Sequence, residues 1–174
     1  MADAVESVLE QWRRERPDLD VSPIGIVGRL MRLSRLWDKE IKDFLGEHGL
    51  EPGEFDVLST LRRSGEPYEL TAKAFLKASL VTTGAITLRV DRMAAKGLVT
   101  RTPDANDRRS VRIRLTPHGL ELIDRVLPLH LANEARLVES LDAGERRRLE
   151  ATLAGLLESH GDTPADTGPP ADQR

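Results

Sequence analysis

The sequence predicts a mainly α-helical fold broken once by a small β-hairpin. Three observations predict it. Apolar residues recur at helical spacing across residues 3–96 and again across 117–160, and the spacing changes to period two only between them. The hairpin so marked, within 98–115, follows directly on a short helix, a three-residue turn and a longer helix. Its outer face is basic, in a chain of 174 residues whose formal net charge is -3.

Val5, Val8, Leu9 and Trp12 fall at i, i+3, i+4 and i+7, one face of a helix over 3–16 that stops before Pro17. A second helix starts at Ser22-Pro23, with Ser22 as N-cap and Pro23 at the first helical position. Its stripe Ile26, Leu30, Leu33, Trp37, Ile41, Phe44 runs on to His48-Gly49. After Pro52, the residues Phe55, Leu58 and Leu61 mark a third helix that ends at Ser64-Gly65. Thr71 caps a short fourth helix to about Lys77, Ala78-Ser79-Leu80 turns the chain, and a fifth helix runs from about Val81 to Lys96 before Gly97. Leu98 to Thr102 reads as a strand, Pro103 to Arg109 as a polar loop, and Val111, Ile113 and Leu115 alternate along a second strand. Thr116-Pro117 opens a long helix whose stripe from Leu120 continues to Leu141, with a kink at Pro128. Asp142 caps a last helix to about His160, and the Pro-, Gly- and Asp-rich segment 161–174 is expected to be disordered.

Helix, turn, helix and basic hairpin in strict succession make a winged helix-turn-helix. In that arrangement the second helix enters the major groove of double-stranded DNA. Thr82, Thr83, Gly84 and Thr87, in its first turns, are small and polar and suit close approach to phosphates and base edges. Ile86, Val90 and Met93 turn inward. Residues 70–115 hold ten Lys or Arg against Asp91, Asp104 and Asp107, a net +7 that leaves -10 for the rest of the chain. Compositional bias explains the preference for Arg over Lys but not this clustering, which is the footprint of a polyanion-binding surface. Arg108 and Arg109 in the loop reach phosphates and the minor groove, while Asp104 and Asp107 pair with neighbouring arginines and hold the loop in shape. The expected organisation is N-terminal dimerisation helices over 1–48, the winged DNA-binding domain over 49–116, C-terminal dimerisation helices over 117–160 and the tail. The apolar stripes at both chain ends exceed what one small winged domain buries, which implies a homodimer with a helical interface.

Other classes are disfavoured. There is no cysteine, so no disulfide or thiolate metal site, and His48, His118, His130 and His160 lack metal-ligand spacing. No metal or cofactor is expected. No apolar run approaches the ~18 residues of a membrane span, and the acidic, amphipathic N-terminus has no signal core, so a cytoplasmic protein without a membrane partner is expected. No nucleophile with a base, facing carboxylate pair or phosphate loop appears, so the chain is read as a non-enzyme. The competing reading is a winged-helix module that docks protein and has no effector.

The run LVTTGAITLRVDRMAAKGLVTRTPDANDRRSVRIRLTPHG, residues 80–119, resembles the recognition helix and wing of MarR-family transcriptional regulators. Two signatures carry the resemblance: the wing acid and arginines Asp107, Arg108 and Arg109, and the Leu115-Thr116-Pro117 start of the next helix with Gly119. The similarity spans about residues 22–158, and the extra N-terminal helix with its end QWRRERPDLD resembles the subgroup responding to urate or citrate-like acids. The resemblance implies a homodimer of intertwined terminal helices that binds a pseudo-palindromic operator and represses until a small acid releases it. It also implies that Trp12, Asp56, Arg89 and Arg101 hold or sense an anionic ligand. The sequence departs from the subgroup at Gly53, where an aromatic residue precedes the Glu-Phe-Asp run. Arg89 has a physical argument of its own, because it falls beside Ile86 and Met93 on the inner side of its helix. A cation there needs a negative partner, and Asp56 is the internal candidate. Trp12, on the apolar face of the first helix, serves packing, ligand contact or both. Arg89 and Arg101 beside an ionised Asp56 sum to +1, which favours a urate-like purine over a citrate-like trianion.

Overall fold

The computed structural model describes residues 3–78, 86–104 and 111–162. The chain divides into two compact units, Met1–Asp43 and Phe44–Arg174.

The first unit contains α1 (Ala4–Glu15) and most of α2 (Ser22–Glu47). Asp3 caps α1, its Oδ1 accepting from the backbone N–H groups of Val5 and Glu6 at 2.9 Å each. These are two of the first-turn donors that a helix leaves unsatisfied. Asp3 and Glu6 also accept from Arg29 of α2, at 2.7 and 3.0 Å. Below these ion pairs Val5, Leu9 and Val21 form the core, with Ile24 packed against it. Small residues on α2 permit the approach: a Cβ on Gly28 would lie 3.3 Å from Val5 Cγ1, and one on Gly25 3.5 Å from Leu9 Cδ1. Ser22 is the first residue of α2 rather than its cap, and its own N–H donates to Asp20 Oδ1 at 2.9 Å.

The second unit holds α3 (Pro52–Arg63), β1 (Glu69–Thr71), α4 (Ala72–Ala78), α5 (Ile86–Ala95), β2 (Val99–Pro103), β3 (Val111–Leu115), α6 (Pro117–Leu137) and α7 (Ala143–Ser159). Val57, Leu58 and Leu61 of α3 are fully buried, with Phe75, Val90, Met93, Ile113 and Ile123 supplied by the surrounding elements. The sheet is antiparallel in the order β1-β3-β2, with Leu70 opposite Ile113 and Arg101 opposite Ile113 on the other side. Sequence reading does not anticipate β1, because three residues are too few to establish a period. Thr71 serves both the strand and the next helix, its Oγ1 accepting from Ala74 N–H at 3.1 Å.

The Thr-Pro-x-Gly run at 116–119 has a packing explanation. Thr116 Oγ1 accepts from Gly119 N–H at 2.9 Å, capping α6, and donates to the Gly97 carbonyl at 2.7 Å. A Cβ on Gly119 would collide with the carbonyl oxygen of Leu98. The turn after α5 and the start of α6 therefore meet backbone to backbone. Helix α6 runs through Pro128 and ends at Leu137, short of the expected Leu141, and Asp142 with Glu145 forms the capping box of α7. Among the described residues no helix is long and apolar enough to cross a membrane.

Candidate nucleic-acid interface

Helices α4 and α5 are the helix-turn-helix pair, and their buried residues Phe75, Val90 and Met93 anchor them to the α3 core. Arg63 at the end of α3 donates to the carbonyl of Ala78, the last residue of α4. The outer face of α5 presents Thr87, Leu88, Asp91 and Arg92, all exposed. Thr82, Thr83 and Gly84, and the wing residues Asp107, Arg108 and Arg109, lie outside the described residues.

The basic block does not form one free cationic surface. Arg101 Nη1 donates to Asp91 Oδ1 at 2.5 Å. Arg112 Nε donates to Asp104 Oδ2 at 3.0 Å and its Nη1 to Glu69 Oε1 at 3.1 Å, with Asp104 only 6% exposed. These carboxylates, Glu69 foremost, push the Arg112 pKa above its usual value. Lys96 Nζ bonds Glu54 Oε1 at 2.6 Å, and Glu54 is 3% exposed. Lys73, Lys77, Arg92 and Arg114 are exposed and form no ion pair among the described residues. The expected pairing of Asp104 with a neighbouring arginine is thus present, whereas nothing in chain order marks Glu69 and Glu54 as partners of Arg112 and Lys96. Glu54 was legible as the second half of the Glu51 capping box on α3; its partnership with Lys96 was not.

Of the four residues expected to sense an anion, Asp56, Arg89 and Arg101 lie in the second unit and Trp12 in the first. Arg89 is half-buried on the inner side of α5, and its guanidinium lies directly over Gly53 in the first turn of α3. It borders a cleft of about 400 Å³ lined by Glu51, Glu54, Leu88, Arg92 and Lys96. Asp56 follows Gly53 by three residues, one turn along the same face of α3. The ion pairs of the described residues do not include one between Asp56 and Arg89. Arg101 is held by Asp91, which stands ~200° round α5 from Arg89. Trp12 belongs to the first unit, where it is 45% exposed although Val5 and Leu9 on the same helix are buried.

Comparison with known proteins bears on this arrangement. A family model described as the MarR family matches residues 48–110. The chain is 39% identical to the HTH-type transcriptional regulator PecS of Dickeya dadantii over 156 residues, covering 90% of this chain and 93% of that protein. It is 30% identical to the multiple antibiotic resistance protein MarR of Salmonella typhimurium, over 75% of this chain and 90% of that one. Among solved structures it is similar to a mutant MarR of E. coli complexed with operator DNA, with a TM-score of 0.66 and 26% identity, covering 84% of this chain and 97% of that one.

Proposed function

The chain belongs to the MarR family of DNA-binding transcriptional regulators, and from that premise we propose that it is a homodimeric repressor released from a pseudo-palindromic operator by a small organic anion bound against Arg89. Arg89 carries the reading. A half-buried guanidinium with no carboxylate partner among the described residues is costly to keep, and this one sits on the inner side of the helix that enters the groove. An anion bound there acts on α5 directly, which is the coupling between sites that release requires.

Charge favours a urate-like monoanion, in keeping with the urate- and citrate-responsive subgroup. Arg101 is neutralised by Asp91, and the cleft walls carry Arg89, Arg92 and Lys96 against Glu51 and Glu54, a net +1 that becomes zero with an ionised Asp56. A citrate-like trianion would leave charge uncompensated, which burial penalises. Thr82, Thr83, Gly84 and Thr87 are assigned to the groove, Arg108 and Arg109 to phosphates and the minor groove, with Asp107 supporting the wing. Asp56 is assigned to the effector with Arg89. Arg101 and Trp12 are assigned to sensing the effector too, Arg101 through its ion pair with α5 at Asp91 and Trp12 by packing, ligand contact or both. Exposed apolar residues on α2 (Ile26, Met31, Leu36) and on α7 (Leu156, Leu157) supply the surfaces a dimer would bury.

The test uses the full-length protein and an operator duplex selected by it from a random library. Urate is expected to release the duplex at lower concentration than citrate. Arg89→Gln is expected to remain folded and dimeric and to lose release. Release of the variant at the parent's urate concentration would refute the assignment.

A further inference from the structure

Gly53 stands in the first turn of α3, where no backbone requirement calls for glycine. Gly49, Gly65, Gly97 and Gly161 have positive φ and Gly53 does not. Glycine is a poor helix former, and unlike Gly46 and Gly155, whose surroundings are open, Gly53 stands where the space for a side chain is filled. The space is taken by Arg89: a Cβ on Gly53 would collide with Arg89 Cζ, Nε and Nη2. The colliding atoms are the far end of a flexible side chain, so a methyl at position 53 displaces the guanidinium and leaves both helix backbones in place.

We propose that Gly53 is a specificity-determining residue of the effector response: its bare Cα is the seat that holds the Arg89 guanidinium against α3 and so fixes where the cation meets an incoming anion. This rests on the reading of Arg89 as the effector's cation. The cleft beside the seat offers the exposed Glu51 as a competing carboxylate, Glu54 being committed to Lys96 and the Glu51 N–H. An unseated Arg89 turns towards Glu51, and the effector must then displace a carboxylate before it binds. The bare Cα thus keeps an arginine available in a cleft that also contains acids, without a partner charge to hold it.

The experiment compares the full-length parent, Gly53→Ala, Arg89→Gln and the double variant, with urate as the probe in direct binding to DNA-free protein. The Arg89 side-chain Nε–Hε NMR resonance, assigned by its loss in Arg89→Gln, is followed in parallel. Gly53→Ala is expected to melt no lower than the parent, to shift that resonance towards those of exposed arginines, and to weaken urate binding about tenfold, the worth of one charge-assisted contact. In the Arg89→Gln background the same substitution is expected to change nothing. Parent-like urate affinity in Gly53→Ala, with Arg89→Gln defective, overturns the seat and leaves the effector reading standing. Parent-like affinity in Arg89→Gln, or no urate binding by the parent, overturns the effector reading. An Arg89 resonance unmoved by Gly53→Ala overturns the seat whichever way urate behaves.

Discussion

Asp91 on the exposed face of α5 holds Arg101 of β2 through a 2.5 Å hydrogen bond. The helix bearing Thr87 and the strand leading into the wing are thereby pinned to each other, and one cation of the basic block is committed internally. Local charge density and available charge are therefore different quantities in this protein. Among the described residues of the block, the exposed cations Lys73, Lys77, Arg92 and Arg114 form no ion pair and are free to replace counterions on DNA.

Salt dependence separates the two kinds of arginine. Arg114→Gln is expected to reduce the slope of log affinity against log salt by about 0.9, the value of one phosphate contact on duplex DNA. Arg101→Gln is expected to weaken operator binding with the slope unchanged, since its partner is Asp91. Gel shifts across a salt series measure both. Loss of a full contact's slope in Arg101→Gln would place that guanidinium on phosphate.

Arg109→Ala is expected to cost about 1–3 kcal/mol of operator binding, the range for a good groove contact, with the melting temperature unaltered. Fluorescence anisotropy at fixed salt measures the loss. Unchanged affinity would move the wing loop off the DNA.

Glu54 closes the capping box of α3 and holds Lys96 at the end of α5 while itself buried. Glu54→Ala orphans the Glu51 N–H and releases Lys96, and is expected to destabilise the protein by about 1–3 kcal/mol. Glu54→Gln retains an acceptor for Glu51 N–H and is expected to cost less. Urea unfolding of the two variants checks the order.

Two glycines in helical first turns are expected to respond oppositely to alanine. At Gly119 the obstacle is the backbone carbonyl of Leu98, which cannot swing away, so Gly119→Ala is expected to destabilise by about 1–3 kcal/mol. At Gly53 the obstacle is a mobile side-chain end, and the melting temperature is expected to hold or rise. Calorimetry on both variants decides.

The Asp3 carboxyl is held down to about 2 from an ordinary 3.8, chiefly by the hydrogen bond from Arg29 and then by the N–H of Glu6. A group depressed on folding stabilises fully above its unfolded pKa and loses that contribution as pH falls through the folded one. The stability difference between parent and Asp3→Asn is therefore expected to be flat above about pH 4 and to shrink between pH 4 and 2. A difference constant down to pH 2 would show that folding does not lower the Asp3 pKa.

The sequence by itself determined the helices, their order and the hairpin, because these depend on signals a few residues apart. Period and caps such as Asp142 and Thr116 act within one turn, and the change of period at Gly97 marks where helix gives way to strand. The same locality placed Arg89 on the inner side of α5. It did not reveal β1, whose strand identity comes from pairing with β3 some forty residues later. Only the tertiary structure decided which charges remain available. Arg101 meets Asp91 ten residues away, and Lys96 meets Glu54 across 42 residues. Partner choice of that kind depends on how α3, α5 and the sheet pack, since an ion pair needs contact within a few ångströms and carries no mark in chain order. Gly53 shows the division at one position. Its place as a glycine just inside a helix is legible in the sequence, but its use is visible only once α5 packs against α3 and the Arg89 guanidinium fills the space where a side chain would stand.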